Sequence, residues 1–221
     1  MEKDKLKKLT DEQIINKLRK RIKHKNVIKL EDYFKDLEVN KYFEELYIRY
    51  KNPVMKYCSK MIFDKDVLGD IFHDVFIRVY LNISHFKVKK SFKSWLYKIA
   101  TNLCIDFINS YKKKEKSILN NKIGNDSEFE LMDLVQDTEQ LIEQIIFKKD
   151  IEKITNKIID SLPSKNKAVF LLRVNSGFKF KEITNITNIS ERQVKTLYEK
   201  SLNYIANELR RNDIQLKDMV N

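Results

Sequence analysis

Four residues at helical spacing, Asp70, His73, Asp74 and Ile77, fall at i, i+3, i+4 and i+7 and therefore share one face of a helix. Leu68, Ile71, Phe72, Val75, Val79 and Ile83 recur on a different face of the same pattern and read as its core side. A second pattern follows, in which Phe92, Leu96, Leu103 and Phe107 make an apolar stripe. Beside that stripe run Trp95, Ile99, Asn102 and Asp106, an indole, an aliphatic chain, an amide and a carboxylate in register. Such a stripe is too polar to be all core. Its chemistry suits something flat, charged and partly apolar, and an unpaired nucleic-acid strand has those properties. Asn102 can hydrogen-bond a base edge in both directions, whereas ionised Asp106 can only accept, which matches an exocyclic amine. Asp106 reads equally as a cap or a partner for a nearby lysine, and Trp95 equally as a buried ring or a stacking one.

A second recognition pattern lies near the C-terminus. Lys181–Thr187, the tight turn Asn188-Ile189-Ser190 and Glu191–Ser201 form a helix-turn-helix pattern, with Ser190 and Gln193 spaced as a capping box. Val194, Leu197, Tyr198, Ser201 and Ile205 face inward on the second helix, leaving Arg192, Gln193, Lys195, Thr196 and Glu199 outside. In a major groove Gln193 can address adenine bidentately, Arg192 or Lys195 a guanine or phosphate, and Thr196 a base or the backbone. The same pattern is also compatible with a helical hairpin whose outer face is simply solvated.

Both stretches resemble one family. Asp70-Ile71-Phe72-His73-Asp74-Val75-Phe76 is similar to the D-x-x-Q-E-x-F helix of region 2 in extracytoplasmic-function sigma factors. Phe92, Trp95, Leu96, Ile99, Ala100, Asn102 and Asp106 follow that region's F-x-x-W-L-x-x-I-A-x-N-x-x-x-D pattern, the more specific of the two. Leu162-Pro163 to Val169, Phe180–Ile183 and Val194-Lys195 resemble region 4 of the same group. The departures are His73 for Gln, Asp74 for Glu, Asn109 for a common Arg, Thr184 for Ala, and Leu197 and Lys200 at positions that are commonly Arg.

The resemblance implies a specificity subunit of RNA polymerase with no active site. Asp70, His73, Asp74 and Ile77 would then bind core RNA polymerase. His85, Phe86, Lys89, Lys90, Phe92, Trp95, Asn102, Asp106, Lys112 and Lys113 would meet the minus-ten promoter DNA. Arg192, Gln193, Lys195, Thr196, Glu199 and Lys200 would read the minus-thirty-five element. An anti-sigma partner is expected from the family alone. The alternative is a helix-turn-helix regulator that does not engage polymerase.

The elements that must position these residues are helical. The 221 residues contain only three glycines and two prolines, and no alternating strand pattern, so an all-α fold of two helical domains joined by an acidic flexible linker is expected. A formal net charge of +12, with its lysines clustered, favours a polyanionic partner. Cys58 and Cys104 lack metal-type spacing and read as reduced core thiols. With no metal set, P-loop or catalytic triad, neither an enzyme nor a cofactor is expected. No apolar run is long enough to span a bilayer and the first residues form no signal peptide, so no membrane insertion and a cytoplasmic location are expected.

The divisions run as 1–40, a charged extension; 41–114, region 2; 115–137, the linker; and 138–221, region 4. In the extension Thr10–Gln13 reads as a capping box before Ile14, Leu18 and Ile22, giving a short amphipathic helix. The extension is read as loosely docked, with a basic DNA-binding arm as the alternative. Pro53 is expected to open a new helix. Pro163 marks another helix start, and Gly177 its C-terminal cap.

Overall fold

A computed structural model describes residues 6–24, 37–86, 91–119, 151 and 153–211. Its described helices are α1 (Asp11–His24), α2 (Leu37–Met61), α3 (Lys65–Asn82), α4 (Phe92–Leu119), α5 (Ser164–Val174), α6 (Phe180–Thr187) and α7 (Glu191–Arg211). A 3-10 turn, Ile83–His85, follows α3, and a helical stretch over residues 153–160 precedes α5. Among the described residues there is no strand. Lys89 and Lys90 lie outside the described residues. So does most of the expected linker, whose first part continues α4 as helix to Leu119.

Local signals start and stop these helices. Thr10 and Gln13 exchange reciprocal backbone hydrogen bonds at the head of α1, at 2.9 and 3.3 Å. Asp64 caps α3 by accepting from the amides of Asp66 and Val67. Beyond α5, Gly177 takes φ +72° and the Phe178 amide reaches back to the Leu172 carbonyl at 3.0 Å. The turn between α6 and α7 places Asn188 at φ 56°, a left-handed conformation that asparagine tolerates.

Two expectations need correction. Pro53 does not open a helix but lies inside α2. A proline in a helix interior costs about 3 kcal/mol. On the two sides of Pro53, however, Leu46, Val54, Tyr57, Cys58 and Met61 are all buried along α2, each burial contributing about 1.5–3 kcal/mol. Tertiary burial outweighs the local break.

The second correction concerns the extension. Asp11–His24 is not loosely docked: Ile14, Ile15 and Leu18 are fully buried against region 2. Polar contacts lock the same helix in place. Asp11 accepts from Arg49 at 2.8 Å and from the Tyr50 hydroxyl, while Arg49 also reaches Glu45 at 2.9 Å. Burial first, and then that bond to Asp11, push the Tyr50 phenol above its ordinary range. A helix from the first forty residues thus packs into the core formed with α2 to α4.

The region 2 core lies among α1 to α4. Ile71, Phe72, Val75 and Val79 of α3 are buried as expected, and Phe76 and Tyr80 widen the buried face. Phe76 meets Tyr47 edge-on at 4.8 Å, and Tyr80 meets Phe43 at 4.7 Å. Cys58 and Cys104 are free, buried thiols between α2 and α4. The hydrogen bond to Cys58, and then burial, push the Cys104 thiol well up, so it stays protonated.

Region 4 packs directly on this core. Tyr97 of α4 meets Phe178 edge-on at 4.9 Å, and the Lys93 ammonium stands 4.6 Å from the Phe178 ring. Lys93 also donates to the Ser176 carbonyl at 3.2 Å, and Lys98 to the Asn188 side chain at 2.7 Å. Asn109, where the resembling family commonly has Arg, accepts from the Ser164 hydroxyl at 3.1 Å. Lys167 is buried across the junction: it donates to Asp160 at 2.6 Å and to the Met61 carbonyl at the end of α2 at 3.0 Å. A helix end leaves carbonyls without intrahelical partners, and a cation there also suits the helix dipole.

Leu18→Ala should lower stability by about 2–5 kcal/mol, since it opens a cavity in a fully buried site; urea unfolding of the full chain measures it. Lys167→Met keeps the volume but leaves the Met61 carbonyl unbonded, and should cost about 1–3 kcal/mol in the same assay.

Candidate nucleic-acid interface

α3 carries its two expected faces on one cylinder. Residues that alternate with the buried set at helical period emerge on the opposite side, so Asp70, His73, Asp74 and Ile77 are all exposed. Ile77 is 48% exposed, an apolar residue on the face that carries Asp70, His73 and Asp74. No described residue of region 4 covers this face enough to bury it.

Further along α3 the same surface becomes one wall of a groove. Arg78 and Asn82 continue the i, i+4 series from Asp70 and Asp74, and Asn82 donates back to the Arg78 carbonyl at 2.8 Å. The opposite wall is α4, contributing Trp95, Ile99 and Asn102, and the 3-10 turn closes one end with His85 and Phe86. The groove holds about 330 Å³ and is open to solvent. Its lining mixes one indole and two apolar side chains with an amide pair, an imidazole and a guanidinium. That composition gives a stacking surface together with hydrogen-bonding groups for a base edge.

The expected minus-ten residues therefore divide. His85, Trp95 and Asn102 converge on the groove, with Asn102 exposed and Trp95 half-buried. Trp95 rests on Phe86 at 4.9 Å and on Phe92 at 5.9 Å, so its indole is held from beneath while one side remains accessible. Phe86 and Phe92 are only 3% and 4% exposed. They are not contact surfaces of their own: Phe92 packs on Tyr50 at 5.4 Å, and Phe86 forms the floor of the groove. The reason is that a ring at the start of α4 and one at the end of the preceding turn both point into the α2–α4 core. Asp106 is exposed a turn beyond Asn102 and does not line the groove. Lys112 and Lys113 are exposed near the end of α4, away from it. Arg78 and Asn82 were missed, although their spacing from Asp74 was readable.

In region 4, Val194 and Ser201 are fully buried and Ile205 nearly so, with Leu197 and Tyr198 partly covered. Arg192, Gln193, Lys195, Thr196, Glu199 and Lys200 are all exposed. Some of these side chains already have partners. Gln193 accepts from the Ser190 amide at 3.3 Å and hydroxyl at 3.0 Å through Oε1, which leaves its amide hydrogens for an external acceptor. Lys195 pairs with Glu191 at 3.1 Å, and Thr196 donates to the Arg192 carbonyl at 3.0 Å. Region 2 meets α5, α6 and the turns flanking α6, and the outer face of α7 stays uncovered.

Residues 46–115 match the sigma-70 region 2 family, and residues 154–203 match sigma-70 region 4. The two matches stand in the order and at the positions of the two helical domains. The chain belongs to the extracytoplasmic-function group of the sigma-70 family. It is 29% identical over 168 residues to the ECF RNA polymerase sigma factor SigW of Bacillus subtilis, covering 76% of this chain and 89% of that one. It is 24% identical over 169 residues to the ECF RNA polymerase sigma-E factor of Escherichia coli K12, covering 76% and 87%. Among solved structures it is similar to the sigma factor RpoE of Bartonella quintana, in complex with the anti-sigma factor NepR. That similarity has a TM-score of 0.56 at 14% identity and covers 77% of this chain and 98% of that one. CnrH in complex with the cytosolic domain of CnrY gives the same TM-score at 11% identity, covering 91% and 97%. These two likenesses concern the fold. No described helix is long and apolar enough to cross a membrane.

Trp95 is the chain's only tryptophan, so a base entering the groove should change its fluorescence emission. A single-stranded oligonucleotide should do so and Asn102→Ala should weaken that response, whereas a duplex confined to the outer face of α7 should leave the emission unchanged.

Proposed function

We propose that this chain binds core RNA polymerase, directs it to a restricted set of promoters and captures a base of the melted minus-ten element in the α3–α4 groove. The observation that carries the reading is the groove itself: Trp95 supported on Phe86 and Phe92, with Asn102 and His85 beside it, open to solvent. Extruding a base costs a few kcal/mol, and a receptor must return that energy. Stacking on an aromatic ring contributes about 1–3 kcal/mol per base, and hydrogen bonds to an exposed edge add selectivity. Arg78 supplies a positive charge at the groove for the strand's backbone. No nucleotide hydrolysis is required.

The exposed Asp70–Asp74 face with Ile77 at its centre suits a basic, partly apolar polymerase surface, since an apolar anchor within a charged rim is the usual pattern of a protein interface. The outer face of α7 suits a major groove, where Gln193 and Arg192 reach base edges and Lys195 and Lys200 reach phosphates. The net charge of +12 supports the same polyanionic partner. The similar structure of RpoE from Bartonella quintana is a complex with the anti-sigma factor NepR, and a protein of that class is the regulatory partner we propose here. A cytoplasmic location follows from the same reading.

The test is reconstitution of the full chain with core RNA polymerase of its source organism, mapping transcript starts on fragmented genomic DNA. Discrete starts that share two spaced upstream elements are expected. Retained DNA binding with no polymerase complex and no initiation would favour a helix-turn-helix regulator instead. Asp74→Lys should abolish initiation while duplex binding to the upstream element persists; initiation surviving that change would move the polymerase surface elsewhere.

A further inference from the structure

We propose that α1 positions the groove: Arg19 holds the 3-10 turn so that His85 is set to contact the captured base. The inference rests on the base-capture reading above and assigns a role to a helix that lies before the residues matched by region 2.

The link is made by atoms of three residues. Arg19 Nε donates to the Ser84 carbonyl at 3.1 Å, across a sequence separation of 65. Ser84 is also the residue whose hydroxyl lies 3.1 Å from His85 Nδ1. With Nδ1 engaged there, the imidazole is oriented and Nε2 is left for the groove that His85 lines. Arg19 thus fixes the carbonyl of the residue whose side chain orients the histidine.

The turn needs such a brace. It is a single three-residue 3-10 element with no side-chain cap from Asn82 at its start, and at its end the Phe86 amide closes on the Ile83 carbonyl at 3.2 Å. Three-residue 3-10 turns have poor hydrogen-bond geometry and little stability of their own. Arg19, by contrast, stands on a fixed support. The helix carrying it is anchored by Ile14, Ile15 and Leu18 in the core, and by Asp11 on Arg49 and Tyr50. It packs on both α2 and the turn. A charged donor on a rigid helix, bonded to a weak turn at the lip of a recognition groove, is a positioning device. Arg19 is not a base contact in this account.

The experiment uses holoenzyme reconstituted from the full chain and a single-stranded oligonucleotide carrying the mapped minus-ten sequence. Arg19→Ala should weaken oligonucleotide binding about tenfold, the equilibrium change that matches loss of one charge-assisted hydrogen bond. Ser84→Ala should reproduce part of the loss. Duplex binding to the upstream element should stay at wild-type values. The deciding readout is a double-mutant cycle: in a His85→Ala background Arg19→Ala should cost little more. Equal loss in both backgrounds, or wild-type binding by both Arg19→Ala and Ser84→Ala, overturns the inference. If His85→Ala and Asn102→Ala weaken binding while Arg19→Ala does not, only this inference fails. If those two also bind as wild type, base capture in this groove fails with it.

Discussion

Everything in this molecule depends on α4 serving three neighbours at once. Leu96, Ala100 and Cys104 lie fully buried along one side and tie the helix to α2 and α3. Tyr97 and the lysines at 93 and 98 meet region 4 on a second side. Trp95, Ile99 and Asn102 open on a third, into the groove. With 3.6 residues per turn a helix can present three such stripes only if each is narrow. The core stripe therefore packs tightly, from Phe92 through Leu96 and Ala100 to Cys104. Trp95 shows the consequence: it belongs partly to the core and partly to the groove because it lies on a boundary.

The junction between the domains differs in character from either core. Beside apolar packing such as Tyr97 against Phe178, it carries contacts from lysines bonded to oxygen atoms. Lysine contacts with carbonyl and amide oxygens exchange readily with water, so such a surface resembles the more polar interfaces found between domains. Lys167 is the exception, being buried with both oxygen partners supplied by the protein. The junction uses the back of the helix-turn-helix and leaves the exposed faces of α3 and α7 uncovered. The surfaces proposed for polymerase and for duplex DNA are thus both present on the same packed arrangement.

Composition and periodicity were enough to read the helical class, the buried face of α3, the inward face of α7 and the capping boxes at Thr10 and Ser190. These depend on neighbours a turn or less apart, so the sequence carries them directly. Pro53 misled because a local rule met a stronger non-local term: several buried side chains outweighed one broken helical turn. The N-terminal helix misled in the opposite sense. Its charged composition looked peripheral, yet the three residues that decide its docking are fully buried.

By itself the sequence determined which residues could recognise a strand: Trp95, Asn102 and Asp106 by type and the exposed face of α7 by period, with His85 expected from the family resemblance. Only the tertiary structure decided which of them meet. It joined Arg78 and Asn82 to the groove, withdrew Phe86 into its floor and Phe92 into the core, and brought Arg19 against Ser84 from 65 residues away. The physical reason is that helical period fixes the angle at which a side chain leaves its own axis. Which neighbour fills the space it enters is set by how separate helices pack, and no local spacing encodes that.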